Sequence, residues 1–161
     1  MKNRISLRQL FQDYGSDQPL PQLAYLLLCY SAFFQVVEAL ARARQYSMLG
    51  FKDLIILGMS THKLARIIAK DRITSPLRAP FTRFDKSAGG GEVEETVRGK
   101  GVQAVVGELI SCPYCMSPWA GAGLLLLFFI DKNKARLLCS ILTCVTISHF
   151  LHRIYTRLES P

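Results

Sequence analysis

The sequence lacks a second closely spaced pair of cysteines. Five cysteines are present among 161 residues, and only Cys112 and Cys115 are separated by two residues. An odd number excludes complete disulfide pairing within one chain. The other three cysteines lie in apolar segments, where a free cysteine packs as a small hydrophobic residue. The sequence therefore argues against a disulfide framework and supplies only half of a tetrahedral zinc site.

Histidines and phosphate-binding motifs are also scarce. The three histidines lie in other segments than the cysteine pair: His62, His149 and His152. Gly99-Lys100 is followed by Gly101 rather than Ser or Thr, and no predicted strand precedes it, which excludes a P-loop. Acidic residues are the minority, 12 against 20 basic residues. The basic residues mostly flank apolar segments instead of forming one basic face, so we expect no nucleic-acid partner.

Apolar residues concentrate in four segments, with charged residues between them. The segments are residues 23–40, 54–68, 119–130 and 137–151. This distribution predicts an all-α integral-membrane protein with three or four spanning or interfacial helices and a cytoplasmic loop. Segment 54–68 is ambiguous because its second half carries His62, Lys63 and Arg66. It either spans with these side chains reaching the surface or lies in the interface.

The chain divides into a leader and one membrane domain. Residues 1–22 are polar with apolar residues near helical spacing, which predicts an amphipathic leader. Residues 23–161 form the single helical membrane domain. Within it, residues 85–101 are rich in glycine and charge, including Gly89-Gly90-Gly91, and predict a flexible cytoplasmic linker.

The distribution of Lys and Arg predicts orientation. Four spans with an inside amino terminus and three spans with an outside amino terminus both place the basic excess inside. Both place residues 72–114 and the carboxyl terminus in the cytoplasm. We therefore expect a multi-pass protein of the bacterial cytoplasmic membrane, with the cysteine motif facing the cytoplasm.

Three arginines, Arg72, Arg78 and Arg83, lie in a segment that contains Pro76 and Pro80. The prolines predict an ordered loop or a series of turns rather than a regular helix. Interleaved apolar residues would let this loop lie on the bilayer, where the arginines are candidates for binding anionic lipid headgroups or a partner. The alternative is that these charges only set the topology.

The segment Cys112-Pro113-Tyr114-Cys115 leads into an apolar helix. Ser117 and Pro118 are typical of a cap and a first helical residue, so the sequence predicts a helix that starts after the motif. Trp119 is then an aromatic anchor at headgroup depth and a further candidate for lipid or partner contact. The favoured interpretation is a structural corner with reduced cysteines.

Two alternatives use Cys112 and Cys115 chemically. Thiol-disulfide exchange would use a thiolate at a helix amino terminus, and the motif is similar to the glutaredoxin active site. A thioredoxin-like fold, however, needs strands that the apolar carboxyl-terminal segments do not supply. A zinc site is the second alternative, with both cysteines as candidate ligands.

The chain resembles the bacterial membrane family called domain of unknown function thirteen-sixty, which includes a sporulation-associated member. The resemblance covers residues 54–151 and is carried by three stretches with Trp119: Thr61 to Arg66, Lys70 to Phe81 and Gly107 to Cys115. It implies a small helical membrane protein and supplies no catalytic residues or cofactor. We expect a non-enzymatic scaffold or interaction subunit with a protein partner that the sequence does not identify.

Overall fold

The computed structural model describes residues 19–45 and 49–159. The described helices are α1 (Leu20–Ala43), α2 (Phe51–Ala69), α3 (Ser75–Arg78), α4 (Val102–Ser111), α5 (Pro113–Ile130) and α6 (Lys132–Glu159). The 3₁₀ turn Arg72–Thr74 precedes α3, and strands β1 (Thr82–Gly89) and β2 (Glu92–Val97) follow it. The predicted all-α class is confirmed, with one small antiparallel hairpin added. Most of the predicted leader, residues 1–18, lies outside the described residues.

Three of the described helices are long and apolar enough to cross a membrane: α1, α5 and α6. Each has at least 18 residues, or about 27 Å of helix at 1.5 Å per residue, which is close to the thickness of a bilayer's hydrocarbon core. Large apolar side chains are exposed on all three, for example Leu28 on α1, Ile130 on α5 and Leu151 on α6. Helix α2 is long enough to cross a membrane but is not among the helices that are apolar enough.

Helix α2 nevertheless lies at the centre of the bundle, against α5 and α6. Its Ser60 is fully buried, and the hydroxyl lies 2.6 Å from the carbonyl oxygen of Ile56 and 2.7 Å from that of Cys139. The approach to α5 is close because Gly121 faces Thr61: a Cβ at Gly121 would lie 3.3 Å from the Thr61 methyl carbon. Small residues permit this contact, as is usual between membrane helices.

Contacts along the helices define their directions. Asp53 near the start of α2 faces Arg136 near the start of α6, and further along both helices Met59 faces Thr146. Helices α2 and α6 are therefore parallel. The short connection at Asp131 makes α5 antiparallel to α6, and hence to α2.

Helices α1 and α5 are also parallel. Tyr30 and Phe33 contact Trp119 near the start of α5, whereas Val37, further along α1, packs in one cluster with Ala122 and Phe129. The four long helices thus alternate in direction in the order α1, α2, α5, α6. We call the end where α2 finishes and α5 begins the cap end, and the opposite end the far end.

Residues 70–98 form a compact unit at the cap end, which we call the cap. Its hairpin replaces most of the flexible linker that the sequence predicts over residues 85–101. The Gly89-Gly90-Gly91 turn has φ values of 82°, 59° and 82°, a conformation that glycine adopts without a Cβ penalty. The segment after α2 adds to the hairpin, since Val93 N–H donates to the Lys70 carbonyl at 2.9 Å and Arg72 N–H to that of Gly91 at 2.9 Å.

The predicted loop at residues 72–83 is partly helical. Pro76 lies in the first turn of α3, where a backbone donor has no intrahelical partner to lose. Helix α4 then fixes the cap to the bundle. Gly107 of α4 lies so close to the residue before β1 that a Cβ at this position would lie 2.7 Å from the Phe81 carbonyl oxygen. The Gln103 side chain of the same helix donates to the Pro80 carbonyl at 2.8 Å.

Candidate functional site

Cys112 is the N-cap of helix α5, which begins at Pro113. The predicted start at Pro118 is therefore wrong. Pro113 occupies the first helical position, where its fixed φ suits the helix, and the Cys115 N–H donates to the Cys112 sulfur at 3.4 Å. The two cysteines share one turn, with Cys112 half-buried and Cys115 exposed, and both thiols are free.

Pro118 lies inside α5 without ending it. A proline there cannot donate to the Tyr114 carbonyl, which normally costs about 3 kcal/mol or more. The Ser117 hydroxyl donates to that carbonyl at 2.8 Å instead. Ser117 and Pro118, which the sequence predicts as a helix start, therefore lie inside the helix, where the Ser117 hydroxyl replaces the donor that Pro118 lacks.

The surroundings of Cys112 favour its thiolate. Partial burial opposes ionisation, but hydrogen bonds from the Cys115 side chain and from the backbone of Cys115 and Tyr114 outweigh it and lower the Cys112 pKa. The positive charge of Lys70 acts in the same direction. A thiolate stabilised at a helix amino terminus is the form that reacts with disulfides or binds metal.

The zinc alternative lacks further ligands in the described part of the chain. Among residues 19–45 and 49–159, no group of three or more His, Cys, Asp and Glu side chains is placed to hold a metal ion. Cys112 and Cys115 supply two ligands, and a structural zinc ion normally takes four from the protein. The described residues therefore give the dithiol no metal-site geometry within one chain.

Arg78 does not lie on a surface, which corrects its assignment as a headgroup-binding candidate. It is 1% exposed. Its guanidinium pairs with Glu95 at 2.8 Å and also donates to the carbonyls of Ile68 at 2.7 Å and Asp71 at 3.1 Å. One side chain thereby joins the end of α2, the 3₁₀ turn and β2.

Glu95 completes this buried cluster. Burial opposes its ionisation, but hydrogen bonds from Arg78, Thr82 and Ser75 prevail and lower the Glu95 pKa. Glu95 is not among the site residues predicted from the sequence. A strand pattern would have revealed it, because Val93 and Glu95 alternate onto one face of β2 while residues 92, 94 and 96 fall on the other.

The other two predicted arginines do reach a surface. Arg72 and Arg83 are exposed and line a groove of about 520 Å³ between α3 and the hairpin, together with Arg98. Within the described residues, none of these three guanidinium groups has an ion-pair or hydrogen-bond partner. Arg98 is not among the predicted residues because it lies 15 residues beyond Arg83, in the segment predicted as a linker.

Trp119 contacts other aromatic residues within the bundle. Its ring lies 5.1 Å from that of Tyr30 in an edge arrangement and 6.0 Å from that of Phe33 in a stacked one. These contacts join α5 to α1. The expected role in lipid or partner contact stays a prediction, and the observed contacts are internal.

Comparison with known proteins agrees with the resemblance seen in the sequence. A family model described as "Protein of unknown function (DUF1360)" matches residues 56–155. The chain is also similar to "Sporulation protein YjcA" of Bacillus subtilis (strain 168), with 28% identity over 107 residues that cover 65% of this chain and 91% of that protein. No solved structure matches the chain.

Proposed function

The chain belongs to the family of proteins of unknown function designated DUF1360, and we propose that it is a non-enzymatic interaction subunit of the bacterial cytoplasmic membrane. In this proposal four helices cross the bilayer and hold the cap at its cytoplasmic surface. The observation that supports it most directly is the cap itself, a small unit with a buried ion pair inside and exposed arginines outside that have no ion-pair partner among the described residues.

The helix directions support four crossings. Parallel α1 and α5 both run from the cap end to the far end, so the chain has to return between them. Helix α2 makes that return, because it begins beside Arg136 at the far end and finishes at the cap. A three-span arrangement would require α1 and α5 to be antiparallel.

Packing explains how a helix as polar as α2 crosses. Ser60 is fully buried, and Lys63 is 5% exposed with its ammonium 3.5 Å from Asp71. Neighbouring helices and the cap therefore shield these groups from lipid, which is where polar groups in membrane helices are expected. The half of α2 nearest the far end exposes the apolar side chains of Phe51, Leu54 and Ile55.

The outer face of the cap fits a bilayer surface carrying anionic headgroups. Arg72, Arg83 and Arg98 line the groove, and no residue in the described part of the chain forms an ion pair or hydrogen bond with their guanidinium groups. Large apolar side chains flank it, and they are mostly exposed: Ile73 82%, Leu77 70% and Phe84 65%. Basic residues near an anionic surface contribute about 1 kcal/mol each, and the apolar residues add burial in the interface.

We expect replacement of Arg72, Arg83 and Arg98 by Gln to detach the cap from anionic lipid. Losing three such contacts corresponds to about 3 kcal/mol, or on the order of a 100-fold change in the docking equilibrium. The measurement uses Phe84→Trp in a Trp119→Phe background, reconstituted in nanodiscs of phosphatidylcholine with or without phosphatidylglycerol. Quenching by lipids labelled near the headgroup reports contact of the cap with the bilayer.

The matched control replaces Lys52, Lys132 and Lys134 by Gln, which removes the same charge at the far end. It should leave the quenching unchanged. Quenching that does not depend on phosphatidylglycerol, or that survives the triple arginine replacement, would contradict headgroup binding by the groove.

A second candidate function is thiol-disulfide exchange, favoured by the position of Cys112 as N-cap of α5. The Cys112 thiolate would attack a disulfide in a partner protein, forming a mixed disulfide and releasing one partner thiolate, which takes up a proton. The Cys115 thiol, after losing its proton to water, would attack the Cys112 sulfur and release the second partner thiolate. The dithiol is oxidised by two electrons, and the partner disulfide is reduced.

This candidate predicts that Cys112 alkylates with a midpoint pH below that of an ordinary thiol, about 8.5. The reason is stabilisation of its thiolate by Cys115 and the helix amino terminus. The measurement follows carbamidomethylation of the Cys112 peptide by mass spectrometry across pH. Cys115→Ala should raise the midpoint because it removes the side-chain hydrogen bond but keeps the backbone donor. An ordinary midpoint in the unaltered protein would remove the support for redox use.

A further inference from the structure

A second polar cavity lies at the cap end between α2, α6 and the start of β2. Its volume is about 240 Å³, below the range of about 300–1,000 Å³ typical of sites for drug-sized ligands. Its charged and imidazole side chains are His62, Lys63, Arg66, Glu92, His149 and Arg153. The size suits a small ionic group.

The charge of this lining is positive. Glu92 is the single carboxylate among these residues, and Arg66 already holds both its oxygens at 2.6 Å. Lys63 and Arg153 supply further positive charge, and the imidazoles of His62 and His149 add donors. Among the described residues, the side chains of Arg153, His62 and His149 have no hydrogen-bond or ion-pair partner.

Lys63 is the buried charged residue in the cavity lining. Its side chain is 6% exposed, and its ammonium has one distant partner in the described structure, Asp71 at 3.5 Å. An ammonium carries three donors, and the ion pair with Asp71, which does not line the cavity, accounts for one of them. Because Asp71 and Glu92 balance Lys63 and Arg66, the surplus positive charge of the lining belongs to Arg153, and an oxyanion in the cavity would balance it.

We propose that this cavity binds a phosphate group. A phosphate offers several acceptor oxygens to converging cationic donors, and guanidinium and ammonium groups are its usual protein partners. The group comes either from free inorganic phosphate or from a lipid headgroup at the cap-end surface. The site is independent of the arginine groove, since the two share no lining residue.

The test has two arms. In detergent, the full chain is titrated with inorganic phosphate by calorimetry; in nanodiscs of phosphatidylcholine with phosphatidic acid, native mass spectrometry measures retained phosphatidic acid. His149→Gln with Arg153→Gln changes exposed residues and should retain the fold, whereas Lys63→Met removes the buried ammonium. We expect each to weaken phosphate or phosphatidic acid binding at least about 10-fold.

The control variant carries Lys132→Gln with Lys134→Gln at the far end and should bind as the unaltered protein does. Binding in the detergent arm assigns the site to free phosphate, and binding in the nanodisc arm alone assigns it to a lipid headgroup. Absence of binding in both arms, or an equal loss in the control and the His149/Arg153 variant, would overturn the proposal.

Discussion

Arg78→Met is expected to unfold the cap. The substitution keeps most of the side-chain volume but leaves the Glu95 carboxylate, 6% exposed, without its cationic partner. Breaking a buried ion pair in this way costs about 3–5 kcal/mol. The donors to Ile68 and Asp71 are lost as well, so the end of α2, the 3₁₀ turn and β2 lose their common link. Hydrogen exchange of the β2 amides in detergent measures the loss.

The control for this prediction is Lys86→Met, which breaks the exposed pair between Lys86 and Glu94. Exposed pairs contribute about 0–1 kcal/mol, so exchange should barely change. Arg78→Met combined with Glu95→Leu should recover much of the lost protection, because no buried charge remains unpaired. Equal exchange in Arg78→Met and the unaltered chain would contradict the assigned role of Arg78.

The pH dependence of the cap follows from the same pair. The Glu95 pKa is lowered in the folded state, so ionised Glu95 contributes stability above its unfolded pKa, about 4.3. That contribution disappears as the pH falls through the lower folded value. The Arg78→Met with Glu95→Leu variant lacks this group and should lose that part of the acid sensitivity.

The general architecture can be predicted from the sequence because long apolar runs indicate helices that could cross a membrane. The runs that predict α1, α5 and α6 need no tertiary context. Helix α2 is harder to predict, because Lys63 and Arg66 break its apolar run. Only their ion pairs with Asp71 and Glu92 make them compatible with a central position.

The hairpin of the cap is not predicted from the sequence, and the reason differs from that for α2. Glycine and charge in residues 85–101 resemble a linker, since a two-stranded hairpin is marginal by itself. Here α4 and the buried Arg78–Glu95 pair stabilise it through contacts distant in sequence. Composition alone cannot distinguish a charge that is solvated from one that is paired inside a small core.

The cysteine motif shows how a correct local rule can be applied to the wrong residue. Serine followed by proline favours a helix start, yet α5 begins five residues earlier, at a second proline with Cys112 as cap. Only Pro113 occupies the first helical position, and inside the helix the Ser117 hydroxyl donates to the Tyr114 carbonyl that Pro118 leaves without a backbone donor. This change in the helix start places the two thiols in one turn and gives thiol-disulfide exchange its support.

The number of membrane crossings determines on which side of the membrane the residue after α1 lies, and cysteine labelling at that residue is therefore expected to be complete or absent. In a chain freed of native cysteines, we expect Arg44→Cys to react with a membrane-impermeant maleimide on intact spheroplasts. Arg44 directly follows α1, and four crossings place it outside. With three crossings and an outside amino terminus, the same residue is cytoplasmic and protected.

Two reporters make the labelling of Arg44→Cys decisive. Lys134→Cys at the far end should react from outside, and Ser87→Cys in the cap should react only after permeabilisation. If both behave so and Arg44→Cys is protected, α2 does not cross and the four-crossing proposal is wrong. Reaction of Arg44→Cys and Lys134→Cys together means that α1 and α5 end on the same side. Helix α2 then has to bring the chain back, and its buried Ser60 and Lys63 are the polar groups that cross with it.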